Sequence, residues 1–142
     1  MKRTILILAA AWSACGAPEL AAAENWTQVA QSDRATVYID TQSIGQKDGY
    51  KRAWEKWEYT EDRPARYPAT RKPYRSARFL TYFNCKEKST AELQAIYYDA
   101  AGEIVGKSTA DLKDASFTYL APGMLSESTL DFVCKAKSRS KP

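Results

Sequence analysis

The residues of this 142-residue chain that have chemistry to offer are three cysteines, the nearby carboxylates Glu55 and Glu58, and a cationic run from Arg63 to Arg78. None of them has a histidine to work with, because the chain contains none. Imidazole is the commonest side-chain base near neutral pH and the commonest zinc ligand, so Ser-His and Cys-His nucleophiles and imidazole-bound metals are excluded. Glu55 and Glu58 would suit glycoside hydrolysis if they flanked one bond. Residues three apart on a strand project to opposite faces, so they do not. No glycine-rich phosphate loop, nucleotide fingerprint or calcium loop occurs. The chain reads as non-catalytic, with no cofactor and no metal.

Cys15 belongs to an N-terminal segment with its own logic. Lys2 and Arg3 give a positive start, Ile5–Trp12 a short apolar stretch, and Ala21-Ala22-Ala23 the small residues of a cleavage site before Glu24. Residues 1–23 therefore read as a secretory signal peptide, whose apolar centre is too short for a stable span, and the mature form has no transmembrane segment. A second form would be lipid-anchored at Cys15, although Trp12 replaces the Leu-like residue that heads a lipoprotein box. Once exported, the chain keeps Cys85 and Cys134, an even pair in an oxidising compartment, which reads as a disulfide. A two-cysteine metal site would need carboxylates as its other ligands, and a catalytic cysteine would lack its base.

The cationic run is the clearest binding signal. Arg63, Arg66, Arg71, Lys72, Arg75 and Arg78 are opposed only by Glu61 and Asp62, with Tyr67 and Tyr74 interleaved and Pro64, Pro68 and Pro73 stiffening the chain. Arginine and tyrosine together characterise contact surfaces, and guanidinium groups suit carboxylate, sulfate and phosphate. Arg63, Arg66, Tyr67, Arg71, Lys72, Tyr74 and Arg75, in a loop over about 60–76, are thus the candidate partner-binding residues, for acidic glycans or acidic protein patches. The plainer reading is a solvated loop joining two strands. Trp26, Trp54, Trp57, Tyr97 and Tyr98 could form a carbohydrate platform, but in a one-sheet protein aromatics more often serve as core or cover. Losing residues 1–23 removes Lys2, Arg3 and Glu19, lowering the formal net charge of +4 by one. That mild surplus biases encounters toward acidic surfaces, and no nucleic-acid partner is expected.

A scaffold of strands must hold these residues. Trp26–Ala30, Thr36–Asp40, Tyr50–Tyr59, Arg75–Cys85, Thr90–Asp99 and Glu103–Thr109 are extended, with a weak last piece at Ala115–Leu120. Asp99-Ala100-Ala101-Gly102 forms a hairpin turn. In Tyr50–Tyr59 aromatics and charges fall on both sides, which suggests a strand near a sheet edge or one covered on both faces. Ala77, Phe79, Thr81, Phe83 and Cys85 share one side of their strand. After Pro122-Gly123 the period changes: Leu125, Thr129, Leu130, Phe132, Val133, Cys134 and Ala136 fall on one arc of a helix over about 124–137. The fold class is α+β: an antiparallel β-sheet of about six strands with a C-terminal α-helix tethered by the disulfide to the Phe79/Phe83 face. Residues 24–142 form a single domain of ordinary size. Closing a loop of about 50 residues restricts the unfolded chain by roughly 4 kcal/mol in the simple model.

The ordered set Trp26, Val37-Tyr38-Ile39-Asp40 with Ser43-Ile44, Trp54-Glu55-Lys56, Cys85-Lys86-Glu87-Lys88, Tyr97-Tyr98-Asp99-Ala100-Ala101-Gly102, Pro122 and Cys134 resembles the surface-adhesin protein E family of Gram-negative bacteria. The resemblance implies an antiparallel sheet with a C-terminal helix fixed by Cys85–Cys134, and no catalytic residues. It also implies a place at the cell envelope, in the periplasm or on the outer-membrane surface, where the family's namesake binds host extracellular-matrix and serum proteins. The expected function is a secreted, non-catalytic binding module for host matrix or serum proteins or acidic glycans. The alternative is a periplasmic accessory protein with an internal partner. An open strand edge would let two copies pair as a homodimer.

Overall fold

A computed structural model of the chain describes residues 24–137. The expected leader with Cys15, and residues 138–142, lie outside the described residues. Among those described, eight strands make one antiparallel sheet: β1 (Trp26–Gln31), β2 (Ala35–Asp40), β3 (Gly45–Lys47), β4 (Tyr50–Arg63), β5 (Tyr74–Asn84), β6 (Ser89–Tyr98), β7 (Ile104–Thr109) and β8 (Thr118–Tyr119). The path runs β1-β2-β4-β5-β6-β7, the six strands the alternation predicts, with short β3 on β4 and β8 on β6. β3 falls between the predicted strands Thr36–Asp40 and Tyr50–Tyr59, and β8 within the weak last piece. Two or three residues are too few for a period-two pattern to declare itself.

One helix follows, α1 (Leu125–Lys135). It starts after a turn at Pro122-Gly123, where Gly123 takes φ of 84° and donates its N–H to Glu127 Oε2 at 2.8 Å. A side chain with a Cβ would strain that left-handed position. No helix among the described residues is long and apolar enough to cross a membrane.

Residues directly opposite across an antiparallel pair share a face. One inner row is therefore Ile39, Glu55, Phe79 and Ala95, and a second is Val37, Trp57, Ala77, Tyr97 and Gly106. The helix covers one end of this face: Leu130 and Val133 pack with Ile39, Ile44, Ala53 and Phe83. Cys85, just past β5, is bonded to Cys134 with 5.7 Å between Cα atoms. Lys51 also donates from Nζ to the carbonyl of Ala136 at the helix end, where cations suit the dipole. A second cluster at the other end contains Tyr74, Ala77, Phe79, Ala95 and Tyr97. Its rings form an edge-to-face chain, with centroids 5.8 Å apart for Tyr59–Tyr74, 4.9 Å for Tyr74–Tyr97 and 5.9 Å for Phe79–Tyr97.

Glu55 is 5% exposed in this inner face. Thr81 donates from Oγ1 to its Oε2 at 3.1 Å, and Trp57 Nε1 donates at 3.4 Å. Burial lifts its carboxyl above the ordinary value, and hydrogen bonds from Thr129, Trp57 and Thr81 offset this only in part. Glu58 faces the other way, opposite Ser76, so the two carboxylates do not meet.

The structure corrects the reading of β4. It lies between β2 and β5, with nine registered pairs to β5, so it is not an edge strand. The helix lies on its inner side, against Ala53. The aromatic and charged residues of its other side belong to the outer face.

Candidate functional site

The predicted basic loop is shorter than expected and better anchored. β4 runs to Arg63 and β5 begins at Tyr74, leaving 64–73 as the connection. Tyr74 is 7% exposed and belongs to the second core cluster. It is removed from the contact set because the register shifts between Glu58 and Arg63 and the ring joins the inner aromatic chain. Arg75 is half-buried, and its Nε donates to Asp62 Oδ1 at 2.8 Å.

Thr70 is the anchor, 1% exposed. Its N–H donates to the Arg66 carbonyl at 2.9 Å. Its hydroxyl accepts the Arg66 N–H at 2.8 Å and donates to the Lys72 carbonyl at 3.1 Å. Its backbone pairs with Gly106 on β7. Arg66 reaches Tyr97 Oη at 3.4 Å and Glu92 Oε2 at 3.9 Å. The connection thus folds over the second cluster as the helix folds over the first. The Glu92 side chain is 47% exposed; partial loss of water around it raises its carboxyl, and Arg66 counters this. Burial likewise raises the Tyr97 phenol.

Exposed on the loop and on the adjoining end of β4 are Arg63, Arg66, Tyr67, Arg71 and Lys72, with Tyr67 78% exposed; of these, Arg66 is the one engaged by Tyr97 and Glu92. Arg63 sits 5.5 Å from the Tyr59 ring centroid and lines a hollow of about 340 Å3 with Asp33, Arg34 and Thr60–Asp62. Arg71 and Lys72 make no side-chain ion pair among the described residues. Of the seven candidates, then, four form an exposed basic and aromatic surface, Arg66 and Arg75 are held in internal pairs, and Tyr74 is core.

The aromatic platform weighed in the sequence touches a second surface but does not delimit it. On the outer face one row crosses six strands: Gln28, Tyr38, Lys56, Arg78, Ile96 and Lys107. Lys56 Nζ lies 4.3 Å from the Tyr38 ring centroid and 5.4 Å from that of Trp26. Arg78 lies 5.4 Å from Trp26 and 5.6 Å from Tyr98. Glu24 ties this row together, accepting the Trp26 indole N–H at 2.9 Å and an Arg78 N–H at 2.7 Å. These bonds hold its carboxyl below the ordinary range, the indole bond contributing most. The aromatic set singled out in the sequence is therefore split. Trp57 and Tyr97 join the inner cluster, while Trp26, Trp54 and Tyr98 face outward. The available signal was Trp54, Lys56 and Glu58 at one parity beside Arg78 and Leu80 at another, and only the register of β4 on β5 makes them one surface.

The surface-adhesin protein E family profile matches residues 26–135 of the chain. The solved structure of Haemophilus influenzae protein E is similar in fold, with a TM-score of 0.52 at 17% identity over 86% of this chain and 96% of that one. No match is found among curated proteins.

Proposed function

This chain belongs to the surface-adhesin protein E family, and from that premise we propose that it is a non-catalytic, exported adhesin whose contact region is the outward side of the anchored loop. The residues that make contact are Arg63, Tyr67, Arg71 and Lys72. The partners are acidic patches of host matrix or serum proteins, or acidic glycans. One observation carries the assignment. Thr70 holds the loop by buried hydrogen bonds, yet Arg71 and Lys72 stay exposed beside a tyrosine that is 78% exposed. An anchored loop loses little conformational freedom on binding, so its cations and ring are already presented. Unpaired cations confer electrostatic attraction that salt screens.

The test is binding to immobilised matrix and serum proteins as salt is raised, with the double variant Arg71→Glu/Lys72→Glu. Affinity should fall with salt, and the variant should lose roughly tenfold or more at low salt while keeping its thermal midpoint. Binding indifferent to both changes excludes the loop as the contact region.

A further inference from the structure

The outer face is not what a solvated sheet face carries. An antiparallel sheet covered on one side turns mainly polar residues to water, but here Trp26, Tyr38, Trp54, Leu80, Ile96 and Tyr98 face outward and remain partly exposed. The helix packs on the opposite face. An aromatic surface of this kind marks a binding site.

Its centre is a shallow dish of about 230 Å3 lined by Glu24, Trp26, Asp40, Trp54, Arg78 and Ile96. The lining is fixed in place. Glu24 bonds Trp26 and Arg78, and Asp40 Oδ1 accepts the N–H groups of Asn25 and Gln42 at 3.1 and 3.0 Å. The strand carrying Trp54 is held by the Trp54 backbone N–H, which donates to Ser43 Oγ at 2.8 Å.

Shape and charge select the ligand class. The indoles and Ile96 offer flat apolar area against which the C–H face of a sugar ring stacks. The carboxylates and the guanidinium at the rim supply the acceptors and donors that hydroxyl groups need, since each hydroxyl does both. Charge then decides which sugar. The dish holds two carboxylates against one guanidinium, and the adjacent Lys56 is neutralised by Glu58 at 2.9 Å. A sulfated or uronic chain gains nothing from that lining, whereas an uncharged one pays no electrostatic penalty. The geometry points to a binding site for a pyranose ring of a neutral glycan on the outer face, separate from the basic loop and independent of the adhesin reading.

The whole chain is titrated by tryptophan fluorescence and calorimetry with uncharged glucose-, galactose-, mannose- and N-acetylhexosamine-based oligosaccharides, and with heparin. At least one uncharged oligosaccharide should bind, with affinity changing less than about twofold between about 50 and about 500 mM NaCl. Trp54→Ala should weaken it about tenfold or more. Ile96→Arg fills the dish without deleting a hydrogen bond and should do the same in a protein that keeps its thermal midpoint, while Arg71→Glu/Lys72→Glu should leave it unchanged. No binding of any uncharged sugar, binding of heparin alone, or sugar binding that survives Ile96→Arg overturns the site.

Discussion

Thr70 and Gly106 are backbone partners across the gap between the β4–β5 connection and β7, and a Cβ built on Gly106 would stand 2.1 Å from the Ala69 carbonyl oxygen. No backbone or side-chain adjustment of ordinary size relieves such a contact. Gly106 is the position that admits the loop to the sheet.

Gly106→Ala should therefore push the loop off β7. The expected cost is about 1–3 kcal/mol, the range for overpacking a close contact. The readout is a lower denaturant midpoint together with faster tryptic cleavage after Arg66 and Arg71. Thr70→Val keeps the volume and removes the hydroxyl that bonds Arg66 and Lys72. It should destabilise by about 1–3 kcal/mol, because partners are left unsatisfied, and show the same cleavage pattern. A loop that stays resistant in both variants would mean that the anchor lies elsewhere.

The helix is held twice, by packing and by a covalent bond. Cys85 and Cys134 are 49 positions apart, so replacing both by alanine should cost up to about 4 kcal/mol through the unfolded chain. Leu130 is 2% exposed in the first cluster, and Leu130→Ala should cost about 2–5 kcal/mol by leaving a cavity. Both are read from chemical denaturation without reductant. Under reductant the cysteine variant should match the reduced wild type, which isolates the crosslink from the side chains.

How far the sequence reaches is clearest on β5. Ala77, Phe79, Thr81 and Phe83 alternate with Arg78, Leu80 and Tyr82, and burial follows that alternation as far as Thr81, after which Tyr82 is buried as well. The helical arc through Leu130 and Val133 and the two surviving cysteines then determine which face the helix covers. Local period and composition suffice for these. They do not suffice for Tyr74, whose neighbours read as loop and whose burial depends on a register shift near Arg63. Nor do they suffice for the anchoring of the loop, which joins Ala69 and Thr70 to Gly106 across two strands. The split of the aromatic set, with Trp26, Trp54 and Tyr98 outward and Trp57 and Tyr97 inward, was hidden for the same reason. Trp54 and Trp57 differ by one face, and which face is open depends on where the helix lands.

Surface ion pairs should matter little beside these features. Arg75 and Asp62 meet at 2.8 Å, but their side chains are 41% and 54% exposed. Arg75→Ala should change stability by less than about 1 kcal/mol. It should also leave partner binding near wild type, since that guanidinium is already engaged. A large loss of binding with stability intact would place Arg75 in the contact region.

Glu55 gives the fold a pH dependence of unusual sign for a carboxylate. Burial beneath the helix end of the sheet raises its carboxyl above the ordinary value of 4.5, so the folded state holds the proton more tightly than the unfolded chain does. Stability rises with pH only where the unfolded state binds more protons; here the folded state binds more. The contribution is complete below the unfolded value near 4.5 and is lost as pH rises through the folded value. Urea midpoints measured from acid to mildly alkaline pH should therefore decline across that window. Glu55→Gln cannot ionise and keeps an oxygen for the Thr81 hydroxyl and the Trp57 indole N–H, so it should flatten the decline. An unchanged slope in that variant would show that Glu55 titrates alike in the folded and unfolded chain, and that its burial between the sheet and Thr129 carries no protonation cost.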